Sequence, residues 1–212
     1  MRHSPLNAAL DESIDLSGSI MDREQFELIK VMELCCRDIV INLSMHDELN
    51  NVPERIESSE DNILFNSYWA QTRNNAVFVS ILRWCQVFGA HKEGTHWKNI
   101  NSLSHSTVRA NMCTACEITE DEWAQYHKIA LSFRDKLVAH VDVGEILQNP
   151  AKVHCLKVYL DSAKFLRSIL IELLLDFTCT ESKVLNSVQL ISRLTNSELE
   201  RQARRMAVTA LI

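Results

Sequence analysis

The chain has 212 residues, with 46% hydrophobic and 24% charged side chains, which is ordinary for a globular protein. A formal net charge of -6 argues against nucleic-acid binding over the whole surface, while a local basic site is compatible with it. Four glycines and three prolines are too few for many short strands and turns, so the composition favours long helices.

The seven cysteines are an odd number, and Cys35 and Cys36 are adjacent, which argues against a complete disulfide framework. We therefore expect reduced, mostly buried thiols in a cytoplasmic protein. The first residues lead into acidic sequence rather than an apolar run, so no signal peptide is expected. The most apolar stretch, 169–175, is short and contains Glu172, so no membrane span is expected either.

The predicted elements begin after a polar N-terminal arm, residues 1–19. A first long helix is predicted over about Asp22–Leu49, because apolar side chains recur on one face of it. A second is predicted over about Glu60–Val87, with Gly89 as its C-terminal stop.

The next stretch is irregular and locally basic, and a short helix over His96–Leu103 with Thr95 as its cap is predicted there. Thr119, followed three residues later by Glu122, has the form of a capping box. A third helix is therefore predicted to begin at this point and to end near Val141.

Asn149–Pro150 predicts the start of a fourth helix, whose apolar seam is interrupted by Arg167. The last segment, Ser197–Ile212, is predicted to be helical, with an apolar face that must be buried against this core or a partner chain. That face consists of Leu199, Ala203, Met206 and Ala210.

Together these elements predict an all-α fold, an up-and-down four-helix bundle with additional short helices and a helical C-terminal tail. The predicted domains are the flexible arm 1–19, the bundle 20–180 and the helical extension 181–212.

Motifs for several kinds of site are missing from the sequence. Cys113 and Cys116 have C-x-x-C spacing, but no second ligand pair follows, so packing explains them better than zinc and no metal is expected. The scarcity of glycine removes phosphate-binding loops, dinucleotide fingerprints and nucleophile elbows, so no cofactor is expected.

One helical stripe differs from the others because it ends on a histidine. Tyr126, Ala130, Phe133, Leu137 and His140 share a face, and Arg134, Asp135 and Lys136 lie among them. A histidine can transfer protons near neutrality, and an arginine offers a fixed fork of donors to phosphate oxygens. These residue types suit metal-independent cleavage of RNA by its own 2'-hydroxyl.

Arg134 and His140 do not converge well within one helix, because six residues separate them by about 120° around the axis and about 9 Å along it. A two-fold dimer would bring two copies of each into one cleft. The spacing alone also permits a second interpretation, in which His140 complements the helix dipole and Arg134, Asp135 and Lys136 are only solvated.

The segment from Arg134 to His140 resembles the Arg-x(4–6)-His signature of the HEPN superfamily, with its usual polar residue after the arginine. Trp84–Gly89 and Thr95–Lys98 resemble the corresponding segments of its abortive-infection branch, and the resemblance runs from about Asn62 to Asp142. It implies a dimeric four-helix bundle, often a metal-independent endoribonuclease of toxin–antitoxin or anti-phage systems.

Carried over by residue, the resemblance matches Arg134 and His140 to the catalytic pair and Asp135 to the adjacent polar position. Lys136 and His96 are candidates for lining the same cleft. We therefore predict a homodimeric ribonuclease with RNA as substrate, and with an antitoxin or another regulatory protein as a further partner. The alternative is a non-catalytic helical dimer that binds a protein partner or RNA, since the superfamily also contains such members.

Overall fold

The computed structural model describes residues 23–51, 60–136, 155–180 and 195–209. In these ranges the chain forms six α-helices and one 3-10 helix, without a strand, so the predicted all-α fold is confirmed. None of the described helices combines the length and apolar character needed to cross a bilayer. The helices are α1 (Arg23–Asn51), α2 (Glu60–Phe88), α3 (His105–Ala115), α4 (Glu120–Arg134), α5 (Leu156–Thr180) and α6 (Asn196–Thr209), and the 3-10 helix is Trp97–Asn99.

The two long N-terminal helices end within about two residues of their predicted limits. Gly89 directly follows α2, as predicted, and its amide donates to the carbonyl of Cys85 at 3.0 Å. A Cβ on Gly89 would collide with that same carbonyl oxygen, so only glycine fits this buried turn.

The capping box predicted at the start of α4 is confirmed. The Thr119 hydroxyl accepts the Glu122 amide at 3.2 Å, and the Glu122 carboxylate accepts the Thr119 amide at 2.8 Å. Just before it, Glu117 lies two residues after the end of α3 and adopts the left-handed region at φ 59°. The amides of Glu117 and Ile118 then bond back to the carbonyls of Thr114 and Cys113, which satisfies the helix end.

The short helix predicted over His96–Leu103 with Thr95 as its cap is wrong. The structure has only the 3-10 helix Trp97–Asn99, and its N-cap is His96, whose Nδ1 accepts the Lys98 amide at 3.1 Å. The chain becomes extended at Ile100, which lets both Trp97 and Ile100 turn into the core.

Several other predictions lie outside the described residues. These are the N-terminal arm 1–19, the end of the third helix near Val141, the helix start at Asn149–Pro150, and residues 181–194 of the extension.

Helix α1 is packed against α2, α5 and α6. Asp38 forms an ion pair with Arg83 at 3.1 Å, and the Cys35 thiol meets the Gln86 side-chain oxygen at 3.6 Å, so α1 and α2 run antiparallel. The ring of Phe26 at the start of α1 stacks on the ring of Phe177 near the end of α5, so helices α1 and α5 are antiparallel as well.

A buried ion pair joins α1 to α5. Glu33 and Arg167 are both fully buried, and Arg167 Nε donates to Glu33 Oε1 at 2.8 Å. Arg167 Nη1 also donates to Asn196 Oδ1 of α6 at 2.9 Å. Three helices therefore meet at one guanidinium, the residue that interrupts the apolar seam in the sequence.

Trp84 is the centre of the aromatic core between α2, α4 and α5. Its indole is fully buried, and its Nε1 donates to the Ser162 hydroxyl at 2.9 Å. The surrounding rings belong to Phe88, Trp123, His127 and Tyr159, with centroids 5.0 to 6.0 Å away. This packing fixes the face of α4 that precedes Arg134.

The apolar face of α6 is buried against α1, so it packs on the core of its own chain. Leu199, Ala203 and Ala207 form the buried face. The prediction that Met206 belongs to it is wrong, because Met206 is 51% exposed and Ala207 takes its place. Ala210 lies outside the described residues.

Candidate functional site

Arg134 is the last residue of α4 and opens the predicted site. Its Nε donates to Asp135 Oδ1 at 2.9 Å, and its Nη2 lies 2.8 Å from the same oxygen. The hydrogen bond that Arg134 donates to Asp135 is the main cause that raises the pKa of Arg134. The Arg134 side chain is 29% exposed, so the guanidinium is oriented by its neighbour yet can still reach a ligand from solvent.

The structure describes only some of the remaining predicted site residues. Asp135 and Lys136 are exposed and follow directly after α4. His140 and Leu137 lie outside the described residues, so the separation of His140 from Arg134 stays a prediction. The described part of the stripe packs inward: Ala130 is fully buried, and Tyr126 and Phe133 lie against the core.

Beneath Arg134 lies the Cys85 thiol of α2. It donates to the Ala130 carbonyl at 3.6 Å, and burial raises its pKa to about 12 although the charge of Arg134 opposes this. The thiol therefore stays protonated at neutral pH and is a packing group rather than a nucleophile. Cys113 and Cys116, the C-x-x-C pair, are also free and buried, as expected for packing.

His127 links α4 to the turn after α2, a contact that the sequence did not indicate. Its Nε2 lies 3.0 Å from the Phe88 carbonyl and 3.2 Å from that of Gly89. Carbonyl oxygens only accept hydrogen bonds, so this nitrogen must carry the proton. His127 precedes Arg134 by two helical turns, about 10 Å along the axis. The contact therefore fixes the turn after α2 alongside the helix that ends at Arg134.

His96, predicted as a cleft-lining candidate, is buried and acts as the cap of the 3-10 helix. Burial, followed by the positive charges of His91, Lys98, His127 and Arg109, lowers its pKa from 6.5 to about 4. His96 is thus neutral at pH 7. Since its Nδ1 accepts the Lys98 amide, its Nε2 carries the proton.

Trp84 and Trp97, which lie in the two segments of the resemblance upstream of Arg134, are both fully buried, so their indoles serve packing. In the described part of the chain, no three His, Cys, Asp or Glu side chains gather closely enough to hold a metal ion. The chemistry that the described site offers is thus an oriented, solvent-accessible guanidinium at a helix end.

Two features of the structure were not predicted from the sequence. The Glu33–Arg167 pair was signalled only by a charge on each apolar face, and the His127 contact had no local signal.

Comparison of the chain with known protein families, curated proteins and solved structures finds no match.

Proposed function

We propose that the protein is a metal-independent endoribonuclease of HEPN type, active as a cytoplasmic homodimer and used as a toxin or anti-phage effector. The observation that carries this proposal is Arg134, held by Asp135 at the end of α4 with part of its side chain in solvent. The resemblance around Arg134 and His140 supplies the reaction.

In the proposed reaction, the 2'-hydroxyl of a nucleotide attacks the neighbouring phosphorus. One His140 accepts the hydroxyl proton, and the His140 of a second copy gives a proton to the departing 5'-oxygen. The bond from phosphorus to the 5'-oxygen breaks, and a 2',3'-cyclic phosphate forms. Arg134 stabilises the charge on the crowded phosphorus centre, while Asp135 keeps its guanidinium oriented.

The dimer is part of the proposal because one chain supplies only one imidazole and one guanidinium. Helix α1 offers an apolar surface for such contact, since Val31 and Leu34 lie one turn apart and are 43% and 40% exposed. An antitoxin or another regulatory protein is the further partner that we propose.

RNA cleavage by the purified full chain tests this function. Arg134→Ala and His140→Ala should each lower the cleavage rate at least about a hundredfold, the range of general acid–base and charge-stabilising groups. Arg201→Ala is the matched control, because Arg201 is also held by a neighbouring carboxylate, Glu198 at 2.6 Å, but lies on α6. Equal cleavage by all four proteins would refute the mechanism.

A second candidate function is a non-catalytic helical dimer that binds a protein partner or RNA. The exposed Val31 and Leu34 favour it as much as they favour the enzyme. It predicts that Leu34→Glu abolishes dimerisation in analytical ultracentrifugation, whereas His140→Ala leaves growth inhibition or partner binding intact. Loss of growth inhibition in His140→Ala would exclude it.

A further inference from the structure

Residues 91–109, which we name the basic segment, differ in charge from the rest of this acidic protein. Only one carboxylate, Glu93, occurs in it. The cationic and imidazole side chains are His91, Lys92, His96, Lys98, His105 and Arg109. A positive surface is therefore concentrated in one short part of a chain whose net charge is -6.

The cations of the basic segment form no ion pair within the described residues, although Glu120 lies near enough to Arg109 to act on its charge. No ion pair there involves any of its lysines, its arginine or its histidines, whereas half of the lysines and arginines in the described helices have carboxylate partners. Examples are the pairs of Lys30 with Glu27, Lys157 with Glu117 and Arg201 with Glu198. Lys92, Lys98 and Arg109 are therefore cations to which an external anion could supply a counter-charge.

The geometry gathers these groups around one buried indole, Trp97. The rings of His96 and His105 lie 6.0 and 5.5 Å from it, and the His91 ring lies 5.2 Å from that of His96. Lys98 Nζ is 5.7 Å from the centre of Trp97. His91 and His105 are exposed and Lys98 is half-buried, so these three side chains lie at the surface around a buried aromatic ring.

Arg109 extends this surface by one helical turn, because it follows His105 by four residues on α3. Its guanidinium lies over the Trp123 ring at 4.8 Å, and its Nε is buried without a hydrogen-bond partner in the described part of the chain. A guanidinium fixed over a ring in this way is positioned to donate to a phosphate.

The basic segment also adjoins the proposed catalytic end of α4. His127 fixes the turn at Phe88 and Gly89, from which the segment continues. Glu93 within the segment is close enough to Arg134 to act on its charge. A strand of RNA cleaved at Arg134 would therefore pass along the segment on one side.

We propose that the basic segment is a phosphate-binding surface that holds the RNA backbone beside the cleavage site, with Lys98 and Arg109 as the principal phosphate contacts. This inference rests on the proposed ribonuclease function but concerns binding rather than cleavage. The ring of Trp97 is buried, so the surface recognises backbone phosphates and not the identity of the bases.

The test measures RNA binding by the full chain with His140→Ala, so that the RNA stays intact. A fluorescent single-stranded RNA is titrated by anisotropy at several salt concentrations. Adding Lys98→Gln and Arg109→Gln together should weaken binding at least about tenfold, the effect of losing a hydrogen bond to a charged group. The slope of log K against log salt should fall by roughly 1.4, or about 0.7 for each lost contact.

The control carries Lys30→Gln and Arg201→Gln, which change the net charge equally but lie on α1 and α6. Its affinity should match that of the parent. Lys98→Gln alone, at a half-buried position away from the Trp123 stack, should still weaken binding if the Arg109 variant fails to fold.

Equal affinities of the basic-segment variant and the control would overturn the proposal. So would binding of an acidic peptide in place of RNA, which would instead indicate a protein partner. Catalysis is judged separately: if wild-type protein binds RNA through Lys98 and Arg109 without cleaving it, the ribonuclease function fails while this binding surface stands.

Discussion

The buried ion pair of Glu33 and Arg167 predicts a large loss of stability when either partner is removed. Both side chains have no exposed surface, and burial raises the pKa of Glu33 while the charge of Arg167 opposes the rise. Arg167→Met would leave the Glu33 carboxylate without its counter-charge in the core. Removing one partner of such a pair costs about 3–5 kcal/mol, against a total stability of roughly 5–15 kcal/mol for a domain.

Urea denaturation followed by far-UV circular dichroism measures this loss. The double variant Glu33→Leu with Arg167→Met should regain most of it, because two apolar groups of similar size need no counter-charge. Lys30→Met is the matched control: Lys30 pairs with Glu27 at 2.9 Å on the surface, where such pairs contribute about 1 kcal/mol or less. A cost below about 1 kcal/mol for Arg167→Met, or a double variant as unstable as the sum of both singles, would refute the reasoning.

Three further predictions concern single side chains. Because burial lowers the pKa of His96 in the folded protein, His96 of the unfolded chain binds a proton at a higher pH than His96 of the folded protein. The free energy of unfolding should therefore fall by about 3 kcal/mol between pH 6.5 and about 4, and urea midpoints measured against pH should show a shallower fall in His96→Gln. Leu199→Ala should cost about 2–4 kcal/mol in urea unfolding and Met206→Ala about 0.5 or less, and equal costs would contradict the observed face of α6. Thr119→Ala should lower stability by about 1 kcal/mol through loss of the cap, and an unchanged melting temperature would contradict the capping box.

Much of the fold was predictable because its signals are local. The apolar stripes, Gly89 and the Thr119–Glu122 box each act within a few residues, so their spacing is visible in the sequence. The errors have local causes too. His96 caps the 3-10 helix with an imidazole, whereas cap preferences favoured Thr95, and a narrow helical stripe does not decide between Met206 and its neighbour Ala207.

The site was predictable only in part. That Arg134 lies on the third helix, with Asp135 beside it, follows from periodicity and adjacency, but its place as the last residue of α4 was not predicted, because that helix was expected to end near Val141. The contact of His127 with the turn after α2, and the meeting of Glu33 with Arg167, join parts of the chain that are far apart in sequence. Such pairs depend on how helices pack, which no local spacing encodes.

The packing of α6 on α1 has a consequence for the synthesis of the protein. About 145 residues separate the end of α1 at Asn51 from the start of α6 at Asn196, which at about 5–20 residues per second corresponds to roughly 7–30 s of translation. During that interval the α1 surface that receives α6 has no native cover, and Arg167 lacks its bond to Asn196. The core can therefore be completed only late in translation, after every other described helix has been synthesised.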